Sequence, residues 1–188
     1  MIVLLQEQAP QKRQKVELSP LQKFKFFKEE GIRLAEEDSN WQAIGHWDQA
    51  LQLKIEGKTP KDLEHDKLWE MKAQSLITLH EWEPAIEASN SALKISPNWW
   101  CAYQTLGRAY LGFGQLKEAV LSFSRAIHLN PDCEELWIED LAWAKDLLER
   151  EKAGNREWKP VKEPEVFEDE DDYLVDEEEL DRLRGKNA

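Results

Sequence analysis

The feature that most constrains this chain is a helix–turn–helix pattern that recurs along it. Residues 100–131, WCAYQTLGRAYLGFGQLKEAVLSFSRAIHLNP, hold apolar side chains every three or four positions on both sides of Gly112 and Gly114. This spacing is typical of one face of an α-helix, and glycine and proline mark the ends of such segments. We predict two antiparallel helices joined by a turn at the two glycines.

Small residues recur between the large ones where the two helices would meet. Gly107 falls inside the first predicted helix, where glycine costs about 1 kcal/mol relative to alanine. We expect that cost where another backbone approaches closely, and Ala119 of the second helix is the predicted partner of Gly107. The recurring small residues and closing prolines are Gly31, Ala43 and Ala50, then Ala73, Ala85, Ala92 and Pro97, and finally Gly107, Ala119, Ala126 and Pro131.

Three copies of the pattern lie in register, with the polar residues 57–64 as an enlarged loop after the first copy. Ser19 and Pro20 form a typical helix start. Because each repeat leaves one apolar face bare, an array also needs a cap. We therefore predict an all-α helical-repeat solenoid with disordered ends. Its domain spans 19–153, with repeats over about 24–57, 66–99 and 100–133 and a C-terminal capping helix over 134–152.

This pattern resembles the tetratricopeptide repeat, a 34-residue helix–turn–helix unit. The residues of the third copy that carry the resemblance are Tyr103, Leu106, Gly107, Tyr110, Ala119, Phe123, Ala126 and Pro131. The second copy departs from the family pattern at Lys72, Ala73 and Ser89, and the first has Ile55 in place of the closing proline. The resemblance implies a module for protein interaction and no catalytic activity.

The first helices of stacked repeats line the concave side of an array. The residues predicted to point away from the packing face there are Lys25, Lys28, Ile32, Lys67, Met71, Gln74, Gln104, Thr105, Arg108 and Ile138. Four of them are basic, and we expect their field to favour carboxylates of a partner segment. Ile32 and Met71 would add apolar contacts.

The family resemblance also implies a test for one class of partner. Members that bind chaperone C-termini hold the terminal carboxylate with lysine and asparagine in one repeat, asparagine in the next, and lysine and arginine in a third. The matching positions here hold Lys28 and Ile32, then Met71, then Cys101 and Thr105. Only the first lysine is present, so we expect this carboxylate clamp to be disfavoured.

The two ends of the chain differ from the repeats in composition. Residues 1–18 are polar and basic, and residues 154–188 hold thirteen acidic residues against six basic ones, so we predict disorder in both. Apolar residues interleaved with the acidic ones form a predicted recognition segment: Phe167, Tyr173, Leu174, Leu180 and Leu183. The open alternative is a tail that only increases solubility. We also expect the tail to reach the basic groove of its own chain.

Composition and motifs limit the possible functions. The sequence has no apolar run of roughly 20 residues and carries a net charge of −13, so we expect neither a membrane span nor direct nucleic-acid binding. Cys101 and Cys133 match no metal or CxxC spacing, and the four histidines are scattered. We therefore expect no catalytic site, cofactor or metal, and an intracellular location in cytoplasm or nucleus.

The favoured function is a non-enzymatic adaptor or scaffold, a monomer within a larger complex, whose concave face binds a segment of a protein or peptide partner. The alternative is an acidic chaperone or mimic. In that case residues 160–188 would bind a basic partner and the repeats would serve as a docking module.

Overall fold

The computed structural model describes residues 18–154, which form three antiparallel helix pairs and a cap. The helices are α1 (Pro20–Glu36), α2 (Asn40–Gln52), α3 (His65–Thr78), α4 (Trp82–Ile95), α5 (Trp100–Phe113), α6 (Leu116–Leu129) and α7 (Ala142–Lys152), with a π-helical segment over Leu136–Leu141. Successive pairs contact each other through α2 and α3 and through α4 and α5. The predicted all-α helical-repeat solenoid is confirmed. Within the described range, no helix has the length and apolar character needed to cross a membrane.

The first helix begins as the sequence predicts. The hydroxyl of Ser19 accepts a hydrogen bond from the backbone N–H of Gln22 at 3.3 Å, and Oε1 of Gln22 accepts one from the N–H of Ser19 at 2.9 Å. Pro20 takes the first helical position, where its missing N–H is not needed. This reciprocal cap fixes the start of α1.

The turn inside each pair has the same geometry. The backbone is left-handed at Asp38 (φ 56°), His80 (φ 59°) and Gly114 (φ 84°), which lie at equivalent repeat positions. The N–H of the next residue donates to a carbonyl of the preceding helix at 2.8–2.9 Å, as is typical of a helix C-terminus. The prediction that Gly112 belongs to this turn is wrong. It lies within α5, and a Cβ atom there would be 2.7 Å from Cδ2 of Trp82 in α4.

In the outer pairs, an aromatic ring of the second helix lies against a glycine of the first. A Cβ atom on Gly31 would be 2.5 Å from Cδ1 of Trp47, and one on Gly107 would be 2.5 Å from Cε1 of Phe123. Both rings are almost fully buried. The predicted partner of Gly107 is therefore wrong. Ala119 is buried, but the ring of Phe123, one helical turn farther along α6, fills the space over the glycine.

The central pair has Ala73 in place of the glycine and Ser89 in place of the large ring. Both are fully buried. The hydroxyl of Ser89 donates to the carbonyl oxygen of Ala85 in its own helix at 2.9 Å. The central pair therefore packs α3 against α4 without a large ring at the position where both outer pairs have one.

The apolar core has two clusters of buried residues. One extends over α1–α4, and the other joins α6 to the cap through Leu136, Leu141 and Ala144. The recurring small residues are buried as a group: Gly31, Ala43, Ala50, Ala73, Ala85, Ala92, Gly107, Ala119 and Ala126. Pro97 and Pro131 are exposed and follow the ends of α4 and α6. The small positions therefore set how closely the helices pack.

Candidate functional site

Two adjoining cavities run across the first helices of the three pairs. The outer cavity, about 340 Å³, lies between the first pair and α3, and its lining includes Ile32, Ala35, Trp47, Met71, Gln74 and Thr78. The central cavity, about 380 Å³, lies between α3 and α5, and its lining includes Glu70, Gln74, Thr78, Cys101, Thr105 and Arg108. Gln74 and Thr78 line both, so together the cavities form one groove that crosses α1, α3 and α5.

The structure brings most of the predicted concave residues to this groove. Those that line one or both cavities are Ile32, Met71, Gln74, Gln104, Thr105 and Arg108. Lys25, Lys28, Lys67 and Ile138 line neither cavity. Lys25 and Ile138 are exposed, and Lys67 lines a separate cavity near the start of α3. The predicted surface is therefore divided, with Ile32, Met71 and both glutamines in the groove and three of its four cations outside.

Three of the four basic residues predicted to give this surface a positive field are held in ion pairs. The Nζ atom of Lys28 lies 2.6 Å from Oε2 of Glu64, and Lys67 pairs with the other oxygen of the same carboxylate. Hydrogen bonds from Lys28 and then Lys67 lower the pKa of Glu64 to about 2. Glu64 therefore offsets one of the two lysine charges, and both lysines lie outside the two cavities of the groove.

Arg108 is also held by acidic side chains. Its Nε atom donates to Oδ1 of Asp140 at 2.9 Å, and its guanidinium also pairs with Glu135. Gln104 donates to the second oxygen of Asp140 at 2.7 Å. Asp140 is buried within the π-helical segment, so these contacts join the cap to α5. Arg108 acts here as a link between elements and is not a free cation.

Glu70 is the functional candidate that the sequence analysis missed. Glu70 is only 7% exposed, although it lines the central cavity. Oε1 accepts hydrogen bonds from the hydroxyl of Thr105 at 2.8 Å and from Nε2 of Gln74 at 2.5 Å. Burial raises the pKa of Glu70, and the two hydrogen bonds oppose that rise. A buried carboxylate therefore lies at the floor of the groove.

A sequence signal for Glu70 does exist. Glu70 and Thr105 are 35 residues apart, close to one repeat interval, and they lie on the first helices of neighbouring repeats. Residues at this spacing face each other across adjacent repeats. A carboxylate and a hydroxyl at such positions predict a hydrogen bond between repeats.

The predicted tail segment, Phe167, Tyr173, Leu174, Leu180 and Leu183, lies outside the described residues 18–154. Its recognition role and its contact with the groove stay predictions. Within 18–154, no group of three or more His, Cys, Asp or Glu side chains is placed to hold a metal ion.

Comparison with known proteins agrees with the fold. The tetratricopeptide repeat family model matches residues 102–133. Tetratricopeptide repeat protein 33 of Mus musculus is 46% identical over 72% of this chain and 48% of its own length, and that of Homo sapiens is 44% identical over the same shares. The chain thus spans about half the length of these curated relatives.

A solved structure shows the same architecture. The second TPR domain of human RPAP3, in complex with the HSP70 peptide SGPTIEEVD, superposes with a TM-score of 0.58 at 19% identity. The match covers 68% of this chain and 98% of that domain. At 19% identity, the similarity shows a shared fold and no more.

Proposed function

Because this chain carries tetratricopeptide repeats, we propose that it is a non-enzymatic adaptor whose concave groove binds an extended segment of a protein partner. The observation that carries the proposal is the continuity of the two cavities across α1, α3 and α5. Clefts of roughly 300–1,000 Å³ with a few polar groups are typical binding sites. Here the apolar side chains of Ile32 and Met71 lie at one end and the Glu70 network lies at the other.

The groove chemistry favours a ligand other than a chaperone carboxylate. At the clamp positions, Lys28 is paired with Glu64, and Ile32, Met71, Cys101 and Thr105 supply no cation. The nearby buried Glu70 would repel a second carboxylate. The RPAP3 domain is solved with the peptide SGPTIEEVD, so this peptide is a direct probe. We expect this chain to bind it far more weakly than that domain does, measured by calorimetric titration. Equal affinity would contradict this part of the proposal.

The proposed groove can be tested with a phage-displayed random peptide library selected on the full-length chain. Thr78, exposed and shared by both cavities, is the blocking position: T78W should weaken the selected peptides at least tenfold. Glu87 on α4 is exposed and lines neither cavity, so E87W is the matched control and should leave binding unchanged. Peptides that bind T78W as tightly as the wild type would place the interaction elsewhere and overturn the proposal.

A further inference from the structure

We propose that the central cavity binds a lysine or arginine side chain of the partner segment, with Glu70 as its acceptor. This inference rests on the proposed function and adds the chemistry of the ligand. It is the opposite of the charge preference predicted from the sequence, in which the groove would attract carboxylates.

The two carboxylate oxygens of Glu70 differ in their hydrogen bonding. Both donors in the structure, Thr105 and Gln74, bond to Oε1. No residue within 18–154 donates to Oε2 or forms an ion pair with this carboxylate, and Oε2 is open to the cavity. An ionised carboxylate can accept about four hydrogen bonds, and burying one without a counter-charge is costly. A cationic donor from a ligand would take the place of solvent at Oε2 and would supply the counter-charge.

Arg108, the cation in the cavity wall, does not supply the counter-charge for Glu70. Arg108 lines the same cavity, but its guanidinium is bound to Asp140 and Glu135. These three groups already carry one net negative charge before Glu70 is counted. The other titratable group beside Glu70 is the thiol of Cys101, and burial raises its pKa, so it stays neutral. The fixed charges around the cavity therefore favour a cation and oppose an anion.

The shape of the cavity also suits a long basic side chain. Ile77 and the methyl group of Thr78 line it and can contact an alkyl stem, while Glu70 receives the charged end. Lysine and arginine commonly bury their stems in this way. A neutral amide could donate to Oε2, but it would leave the buried charge without a counter-charge.

The test uses peptides selected on the full-length chain, resynthesised with each arginine replaced by citrulline and each lysine by norleucine. Citrulline keeps the shape of arginine without its charge. We expect the selected peptides to be rich in basic residues and one such replacement to weaken binding about tenfold or more. E70Q should weaken the parent peptide by a similar factor, because it removes the charge with little change of shape.

E36Q is the matched control. Glu36 is exposed on the same face and lines the outer cavity, so removing its charge tests for a general electrostatic effect. We expect E36Q to weaken the parent peptide much less than E70Q does, and E70Q to lose nothing further when the peptide already carries citrulline. Circular dichroism of each variant verifies its helical fold, and the citrulline arm needs no protein variant.

The outcomes separate the two proposals. Peptides that are weakened by T78W but indifferent to both citrulline and E70Q would overturn the inference and leave the proposed groove intact. An equal loss for E36Q and E70Q would also overturn it, since Glu70 would then have no special role. Peptides indifferent to T78W would contradict the proposed function itself.

Discussion

The outer helix pairs and the central pair of this array are packed in different ways. In α1/α2 and α5/α6, the rings of Trp47 and Phe123 lie against glycines, whereas α3/α4 has Ser89 at the corresponding position. The central pair instead holds five of the eight buried polar residues of the range 18–154. These are His65, Asp66, Glu70, Ser75 and Ser89. The outer pairs thus bury large apolar rings, and the central pair holds most of the buried polar residues.

This difference follows from the position of each pair in the array. The stability of a repeat array is approximately the sum of the stabilities of its repeats and of the interfaces between neighbours. The central pair has a neighbour on both sides, so interfaces with α2 and α5 support it. It can therefore hold a buried carboxylate that has no ion pair, whereas the buried Asp140 of the cap is paired with Arg108.

The largest expected effect is the loss of an outer ring. F123A removes a fully buried ring and leaves a cavity over Gly107, which costs about 3–5 kcal/mol in the free energy of unfolding. S89A is the matched change in the central pair. It removes one hydroxyl bonded within its own helix, so the loss should stay within about 1 kcal/mol. Urea unfolding of the full-length chain measures both, and equal losses would contradict the comparison.

A second prediction converts the central pair to the outer pattern. S89F alone should overpack the space beside Ala73 and cost about 1–3 kcal/mol. A73G alone should cost about 1 kcal/mol through helix propensity. In the double variant the new glycine makes room for the new ring. The loss of unfolding free energy in the double variant should then be smaller than the sum of the two single losses by about 1 kcal/mol or more. A double-mutant cycle measures this difference. Strictly additive losses would show that glycine and ring do not act as a unit.

Two glycine-to-alanine changes should have opposite signs. G107A places a methyl group against Phe123 and should lower stability by about 1–3 kcal/mol, in spite of the better helix propensity of alanine. Gly45 lies inside α2 with no atom within 4 Å of a Cβ position, so G45A should raise stability by about 0.5–1 kcal/mol. Thermal unfolding compares them, and a shift of the same sign in both would refute the ring-against-glycine contact.

The fold could be predicted because its signals are periodic. The spacing of apolar residues located the helices of the third pair, the 34-residue interval located the second, and an interval enlarged by the loop 57–64 located the first. The partner of Gly107 was predicted wrongly because Ala119 and Phe123 both lie on the inner face of α6. Their spacing alone does not say which one lies over the glycine. Gly112 was misplaced for a related reason, since glycine can mark a turn or a close contact.

The candidate site could be predicted only in part. The register placed Ile32, Met71, Gln74, Gln104 and Arg108 on the surface that contains the two cavities. The ion pairs of the basic residues could not be predicted from the sequence, because the acidic partners lie outside the first helices of the repeats. Glu64 lies at the end of the enlarged loop, and Asp140 lies in the cap.

Glu70 is a buried carboxylate whose charge lowers the stability of the fold, and we attribute its presence to the use of that charge in the groove. Burial raises its pKa in the folded chain, so ionisation near neutral pH favours the unfolded chain. Below about pH 4, the carboxyl group is protonated in both the folded and the unfolded chain, so that penalty disappears. E70Q removes the charge and keeps an acceptor for Thr105, whereas E36Q alters an exposed carboxylate.

The most direct measurement is the thermal midpoint of the wild type, E70Q and E36Q across this pH range. We predict that E70Q melts above the wild type at neutral pH, that the gap closes as the pH falls, and that E36Q follows the wild type throughout. An E70Q midpoint at or below that of the wild type at neutral pH would contradict the claim.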